Sequence, residues 1–572
     1  MASVHTAAST TGSWHGMNLS ELISSSCIGN ADSVAFIQMG RSITYRELDY
    51  LSRNFAAYLQ KSLGLRQGER VAIVLPNILQ FPIAMLGAIR AGLVVVNTNP
   101  MYTASEVERQ LKDSGASAAI VLDSALTMIA EVRSRTSVRH VVSTAVGDLL
   151  AFPKSYLVNF LIHRSMRSGR VNKGEAISFA TSLSIGAKLP LDRVRIASDD
   201  LAYLQYTGGT AGEPKGAMLT HGNICANILQ CEAWLGDCFS KPDALITALP
   251  LYHIFALTIS CLLFLRLGWT NHLVLDARDT PRLISMMRKH RFAFFCGVNT
   301  LFKALMNCRD FDRVDFLHLQ LVLAGGMAVE QDVAEQWKAL TGTELTQAWG
   351  LTETSPGACV NPRSVAFNGS VGLPIPGTEI AIKDLSGRDV GTGESGEICV
   401  RGPQVMAGYW GKPVETAQAR FGGGWLRTGD IGHLDERGFL FLEERTADVI
   451  QVSGFKVYPS EIESAALSCR GVIEAAAVSR PDPHSGEVVA LFIVRSDPRL
   501  TESDVLAVCK ECLTSYKLPR YIHFVRALPK THIGKVSRRA LRGLAQVTDI
   551  SRAVDIDSGS TCRRFATTEA TS

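Results

Sequence analysis

No stretch of this chain is apolar for long enough to cross a bilayer. The longest mainly apolar run, Ile254 to Leu265, stops at Arg266. A spanning helix needs about 20 such residues, so the run reads as a buried core helix. The first twenty residues lack the basic start and apolar run of a secretory leader. A cysteine framework is missing too. The 13 cysteines scatter from Cys27 to Cys562 without regular spacing, as in a chain kept reduced in the cytoplasm. Cys509 and Cys512 form a lone C-x-x-C with no second pair or histidine at zinc spacing, which argues against a metal clip. One-signed charge is also absent: a net +4 over 572 residues does not suggest a nucleic-acid partner. No internal repeat is evident.

What is present is the composition of a soluble globular enzyme, 46% hydrophobic and 20% charged. The length predicts two to four domains. From Thr44 the chain alternates helical and strand patterns: Tyr45 to Leu59 and Phe81 to Ala91 helical, Arg70 to Leu75 and Ala118 to Leu122 as fully apolar strands. This β-α-β rhythm returns at Ala244–Leu249, Phe292–Cys296 and Leu319–Ala324, and it argues for parallel sheets covered by helices. After Gly369 the texture changes to short runs, Glu379–Lys383, Gly396–Arg401 and Phe439–Leu442, that suggest an antiparallel subdomain. Glu443 to Asp448 is a charged break, and the main boundary is placed there, before a small α+β domain. The expected class is α/β: a large N-terminal domain of αβα-layered parallel sheets with an antiparallel subdomain (18–445), then a mobile α+β domain (446–546). Residues 1–17 and 547–572 read as flexible or disordered tails.

Two local charge patterns stand out. From Lys510 to Gly543 nine Lys/Arg face one acidic residue, Glu511, which suits a solvated face or a phosphate-neutralising surface. Phe152 to Lys173 interleaves Tyr156, Leu157, Phe160, Leu161 and Ile162 with Lys154, Arg164, Arg167, Arg170 and Lys173. Such a basic amphipathic segment suits either an anionic membrane surface or a helix packed on its own domain.

The segment Tyr206–Thr207–Gly208–Gly209–Thr210–Ala211–Gly212–Glu213–Pro214–Lys215–Gly216 packs four glycines, two threonines and a lysine into eleven residues. Glycines let backbone N–H groups turn inward, while hydroxyls and an ammonium add donors and charge, a chemistry that suits polyphosphate. It is not a Walker A loop, because glycine rather than Ser/Thr follows Lys215. Taken alone it could be an ordinary hairpin turn. Five motifs follow it: Pro250-Leu251-Tyr252-His253, Leu323-Ala324-Gly325-Gly326, Trp349-Gly350-Leu351-Thr352-Glu353, Trp425 to Asp430, and Pro529 to Lys535. Each has a bland reading as a turn, a core aromatic or a solvated charge. Their order over more than 300 residues does not.

These motifs resemble those of the adenylate-forming superfamily. More narrowly, Tyr206 to His221, Ala248 to Phe255, Gly297 to Phe302, Val452 to Glu463 and Val96 to Thr103 are similar to bacterial long-chain fatty acyl-CoA synthetases, over about Leu19 to Leu544. The resemblance implies a two-step ligase using ATP, Mg2+ and coenzyme A. A fatty carboxylate attacks the α-phosphate to give acyl-adenylate and pyrophosphate, and the CoA thiolate then displaces AMP. It implies catalytic roles for Lys535, His253, Thr207 and Glu353, the last with Thr207 on the metal. ATP or AMP would be held by Tyr206, Thr207, Gly208, Gly209, Thr210, Ala211, Gly212 and Lys215, and by Gly325, Gly326, Trp349, Gly350, Thr352, Glu353, Asp430, Arg445 and Lys535. In this reading Trp349 stacks on adenine. The acyl chain would meet His253, Phe255, Val298 and Gly326, and CoA would meet Gly454, Phe455 and Lys456. The small domain would swing about Ala447 between a pose delivering Lys535 and one presenting the Gly454 loop.

Three positions depart from the family pattern: Ala211 where Thr or Ser is usual, Trp349 in place of tyrosine, and Ala447 at a hinge usually charged. The missing hydroxyl at Ala211 represents about 1.5–3 kcal/mol of binding. Alternatives are a medium-chain or aryl acyl-CoA ligase, a ligase loading a carrier protein, or a non-catalytic acyl-adenylate binder. The expected setting is cytoplasmic, with peripheral contact at the cytoplasmic face of an anionic membrane as an option. Oligomeric state is open, with a homodimer allowed.

Overall fold

The computed structural model describes residues 16–165, 176–207, 214–236, 242–326, 329–384, 386–445, 449–529, 536 and 538–546. The expected tails at 1–15 and 547–572 lie outside these residues; Met17, assigned to the tail from sequence, packs against the main core.

Among the described residues the strands assemble into four sheets. One large sheet runs Gly408–Tyr409, Lys215–Thr220, Leu201–Thr207, Val94–Asn97, Arg70–Val74, Ala118–Leu122, His140–Thr144, Ile177–Ser178. Its inner strands are parallel, while Lys215–Thr220 returns antiparallel on Leu201–Thr207. A second large sheet has Thr270–Leu273, Ala244–Thr247, Phe294–Gly297, Leu321–Ala324 and Leu345–Gly350 as parallel neighbours.

Alternation along each strand divides the core. Val71 and Ile73 join the main cluster, while Ala72 and Val74 face a second cluster with the helix Ala104–Ser114. In the other sheet Phe294 and Cys296 point to the main cluster and Phe295 to an outer one around Trp337. This follows from the two-residue period of a strand buried on both faces. The helices Tyr45–Ala57, Gln80–Arg90 and His221–Leu235 contribute buried residues to that main cluster, shared by the two sheets. Each fully buried Leu, Ile or Phe there contributes roughly 1.5–3 kcal/mol.

The expected core helix at Ile254–Leu265 is fully buried from Ala256 to Leu263, but those eight residues are wound as a π-helix. The wider turn is a common feature of functional sites. The strand Leu440–Arg445 runs through Glu443 and Glu444 to Arg445, so the charged break is shorter than expected at its N-terminal side. This strand pairs with Trp425–Leu434 in the antiparallel subdomain. The last sheet, Ile450–Val452, Phe455–Val457, Gly486–Arg495, Val472–Asp482 and Tyr521–Phe524, has its own core around Ile462, Leu491 and Val505. The α/β class with a separate C-terminal domain is as the sequence predicts. The basic amphipathic segment contains the helix Lys154–Ser165. Among the described residues no helix is long and apolar enough to cross a membrane.

Candidate active site

Thr207 ends one strand and Lys215 begins the next, and the two are cross-strand partners. They stand at the base of the glycine loop, whose Gly208, Gly209, Thr210, Ala211 and Gly212 lie outside the described residues, as do Ala447 and Lys535. The Lys215 ammonium lies 5.3 Å from the ring centre of Tyr409. The Tyr409 hydroxyl donates to Glu353 Oε1 at 2.8 Å. Burial, then the Glu353 carboxylate, pushes the Tyr409 phenol above its ordinary pKa, so it stays a donor. Glu353 sits in the 3-10 turn Thr352–Thr354, and its carbonyl accepts from Met406 N at 2.8 Å. Tyr409 thus joins the loop lysine to the candidate metal carboxylate. Sequence reading missed it, because its strand is only the two residues Gly408–Tyr409 on the sheet edge.

Tyr206 turns the other way. Its hydroxyl donates to Asp113 Oδ2 at 2.6 Å and its ring packs on the outer core, so the side chain is committed away from the cavity.

Trp349 and Asp430 meet directly. The indole Nε1 donates to Asp430 Oδ2 at 3.0 Å, with both residues buried. Asp430 is paired across the strands with Arg445, which brings the two predicted ribose contacts to one register position. Trp349 also packs in a cluster with Cys359 and Val371 and lines the cavity.

That cavity has a volume of about 70 Å³. His253, Phe255, Gly325, Gly326, Trp349, Gly350, Thr352, Gly454 and Lys456 all line it. Nine predicted residues from four separated segments therefore converge. Its apolar walls add Cys231, Trp234 and Leu235 from one helix, with Ile254, Ile259, Leu323 and Val360. The i, i+3, i+4 spacing of Cys231, Trp234 and Leu235 is a signal of one apolar helix face that sequence reading passed over. Close approach explains the glycines: a Cβ on Gly325 would stand 3.1 Å from the Phe255 ring, and Gly326 has φ +74°. Val298 is not on the cavity wall. It is wedged beside Gly454, where a Cβ would meet its methyls at 3.1 Å. Phe455 also points away, stacking on Tyr516 at 4.5 Å.

His253 follows a turn, and its Nδ1 accepts from Phe255 N at 3.3 Å. Its side chain stands exposed on the cavity wall, with protein atoms packed around it. Desolvation, with the Lys456 ammonium adding to it, pushes the imidazole down to about 4. The ring is therefore neutral at pH 7, and with Nδ1 accepting, Nε2–H is the donor. Trp349, with Asp430 bonded to its indole, stands on the wall of a cavity whose other walls are largely apolar and carry a neutral donor at His253.

The profile of the AMP-binding enzyme family matches residues 25–410, and that of the AMP-binding enzyme C-terminal domain matches 461–535. The chain is 46% identical over 532 residues to a long-chain-fatty-acid–CoA ligase of Escherichia coli O157:H7, covering 92% of this chain and 95% of the relative. A long-chain-fatty-acid–CoA ligase of Bacillus subtilis is 34% identical, with 91% and 94% covered. Among solved structures, the amide bond synthetase McbA of Marinactinospora thermotolerans superposes with TM-score 0.80 at 25% identity, over 93% of this chain and 100% of that one.

Proposed function

The chain belongs to the AMP-binding enzyme family, and from that premise we propose that it is an AMP-forming long-chain-fatty-acid–CoA ligase. The observation that carries the reading is one cavity in which an apolar wall of Trp234, Leu235, Phe255 and Ile259 meets Gly326, Trp349 and His253. A site for a small polar acid has no use for such walls.

In the first step a carboxylate oxygen attacks the α-phosphorus of ATP, and the bond to the pyrophosphate oxygen breaks. Two anions must meet, so cationic and N–H donors are needed between them. Lys215 and the glycine loop would hold the departing phosphates, and Lys535 would bridge carboxylate and α-phosphate. Asp430 and Arg445 would hold the ribose beside Trp349. Glu353 and Thr207 offer oxygen donors of the kind Mg2+ prefers, and when bound the ion would neutralise the leaving pyrophosphate. In the second step the CoA thiolate attacks the acyl carbon, the anhydride C–O bond breaks and AMP leaves with the electron pair. The neutral His253 would steady the acyl oxygen through its Nε2–H. Gly454 and Lys456 would form the pantetheine entry.

The test is ATP–pyrophosphate exchange over a series of fatty acids, with and without CoA. Exchange with long-chain acids and conversion to acyl-CoA is expected. No exchange with any acid sinks the reading, and exchange without thioester formation favours a carrier-loading ligase.

A second reading concerns location. Phe152, Tyr156, Leu157, Phe160 and Leu161 are between 50% and 86% exposed on and beside the helix Lys154–Ser165. That apolar face beside a basic sequence supports peripheral docking on an anionic bilayer. Sedimentation with phosphatidylglycerol vesicles should fall for Leu157→Asp/Phe160→Asp; undiminished sedimentation of this double variant rejects it.

A further inference from the structure

Lys517 of the C-terminal domain lies between two carboxylates in a place closed to water. Its ammonium is 2.7 Å from Glu106 Oε1 and 2.8 Å from Glu461 Oε2. Lys517, Glu106 and Glu461 are 5%, 4% and 6% exposed. The Glu461 contact is an ion pair off the hydrogen-bond direction, whereas Glu106 accepts a hydrogen bond. Glu106 belongs to the N-terminal domain, in the helix Ala104–Ser114. Its other oxygen accepts from the Thr514 hydroxyl at 2.5 Å. Around the cluster, the Cys512 carbonyl accepts from the Thr103 and Ser105 hydroxyls. Tyr102 and Tyr516 place their rings 4.9 and 6.0 Å from the ammonium.

Two features give this cluster a purpose beyond cohesion. The first is that each half is satisfied when alone. Glu106 closes a capping box with the Thr103 N–H at 2.9 Å, and Lys517 keeps Glu461, its partner within the same domain. Opening the interface strands neither charge without a partner. Removing Lys517 while the interface stays shut leaves two carboxylates buried without their cation, and removing the Glu106 charge takes away the attraction that crosses between the domains. Such a contact favours one docked geometry yet can be released. The second is its link to the cavity: Tyr516 stacks on Phe455 at 4.5 Å, and the adjoining Gly454 rests against Val298 with Lys456 lining the cavity.

We propose that Glu106, Lys517 and Glu461 form a releasable ionic latch that positions the Gly454–Lys456 loop for CoA-dependent thioester formation. They are positioning residues for that half-reaction and not for acyl-adenylate formation. The proposal rests on the ligase reading above and on its assignment of this loop to CoA.

Glu106→Gln keeps the helix cap and removes the charge facing Lys517. ATP–pyrophosphate exchange should stay within about twofold of the parent chain, while turnover of supplied acyl-adenylate to acyl-CoA falls about tenfold. Thr514→Val, which leaves every charge in place, should lower the same step about threefold. Equal loss in both half-reactions, or an undiminished thioester step in both variants, overturns the latch. The unsubstituted chain keeps the two failures apart. If it exchanges with no acid, the ligase reading falls and takes this one with it. If it performs both half-reactions and the variants do not split them, the latch alone falls.

Discussion

The indole of Trp349 faces the cavity while its Nε1–H reaches Asp430 at 3.0 Å. Replacing it by phenylalanine keeps a flat ring but takes one hydrogen-bond donor away from a buried carboxylate. Such a loss costs about 1.5 kcal/mol, roughly tenfold in an equilibrium constant. Trp349→Phe should therefore raise KM for ATP about tenfold with little change in kcat, and the rise should shrink for 2′-deoxy-ATP if Asp430 serves the ribose. An unmoved KM would mean the bond is incidental. Tyr409 offers a parallel case at the proposed phosphate end of the site. Tyr409→Phe keeps the ring near Lys215 and deletes the donor to Glu353. The Mg2+ concentration for half-maximal exchange should rise severalfold, and calorimetry should show weaker Mg2+–ATP binding. Normal binding in calorimetry would separate Tyr409 from the proposed metal role of Glu353.

Elements differ in how far the sequence discloses them. A continuous apolar run marked the strand Ala118–Leu122, and the turn residues around a short strand-like run marked Glu379–Lys383, because both signals are local. The π-helix Ala256–Leu263 was invisible, since a mainly apolar segment buried all round carries no period to betray its pitch. Motif glycines disclosed much of the cavity lining. The bond from Trp349 to Asp430 spans 81 residues, and that from Lys517 to Glu106 spans 411; neither has any local sequence signal. The helix His221–Leu235 shows the same limit and yields a prediction. His221, 1% exposed, accepts from Leu19 N at 3.2 Å and so ties the first helix to this one. Burial, opposed weakly by Asp200, pushes its imidazole down to about 4. Unfolded, it would titrate near 6.5. Between those values the unfolded chain binds a proton the folded chain refuses, so stability falls as pH falls from about 6.5 to 4. The loss totals about 3 kcal/mol at about 1.4 kcal/mol per unit. His221→Asn should flatten urea-unfolding stability over this window by that order, and an unchanged slope would assign the acid loss to other groups.

At the scale of the whole molecule, the latch has to hold under working conditions and let go only for a reason other than titration. Burial alone would raise the Glu106 carboxyl, but Lys517 and the Thr514 hydroxyl outweigh it and hold it below its ordinary value. For Lys517, burial would lower the ammonium, and Tyr102, Glu461 and Glu106 outweigh that and hold it above. The signs then set the window. A depressed carboxylate contributes stability that is present above its unfolded pKa of about 4.3 and lost as pH falls through the lower folded value. A raised lysine contributes stability that is complete below about 10.4 and lost as pH rises through the higher folded value. Between about 5 and 10 the docking contact is therefore fully charged, and salt screens a buried pair only weakly. Thioester formation from supplied acyl-adenylate should accordingly show only inflections that belong to the reacting groups. Glu106→Gln should lower the kcat profile at every pH in that range without moving its inflections. A new inflection in the variant, or recovery of the parent rate at one end of the range, would show that protonation of the latch itself drives the domain.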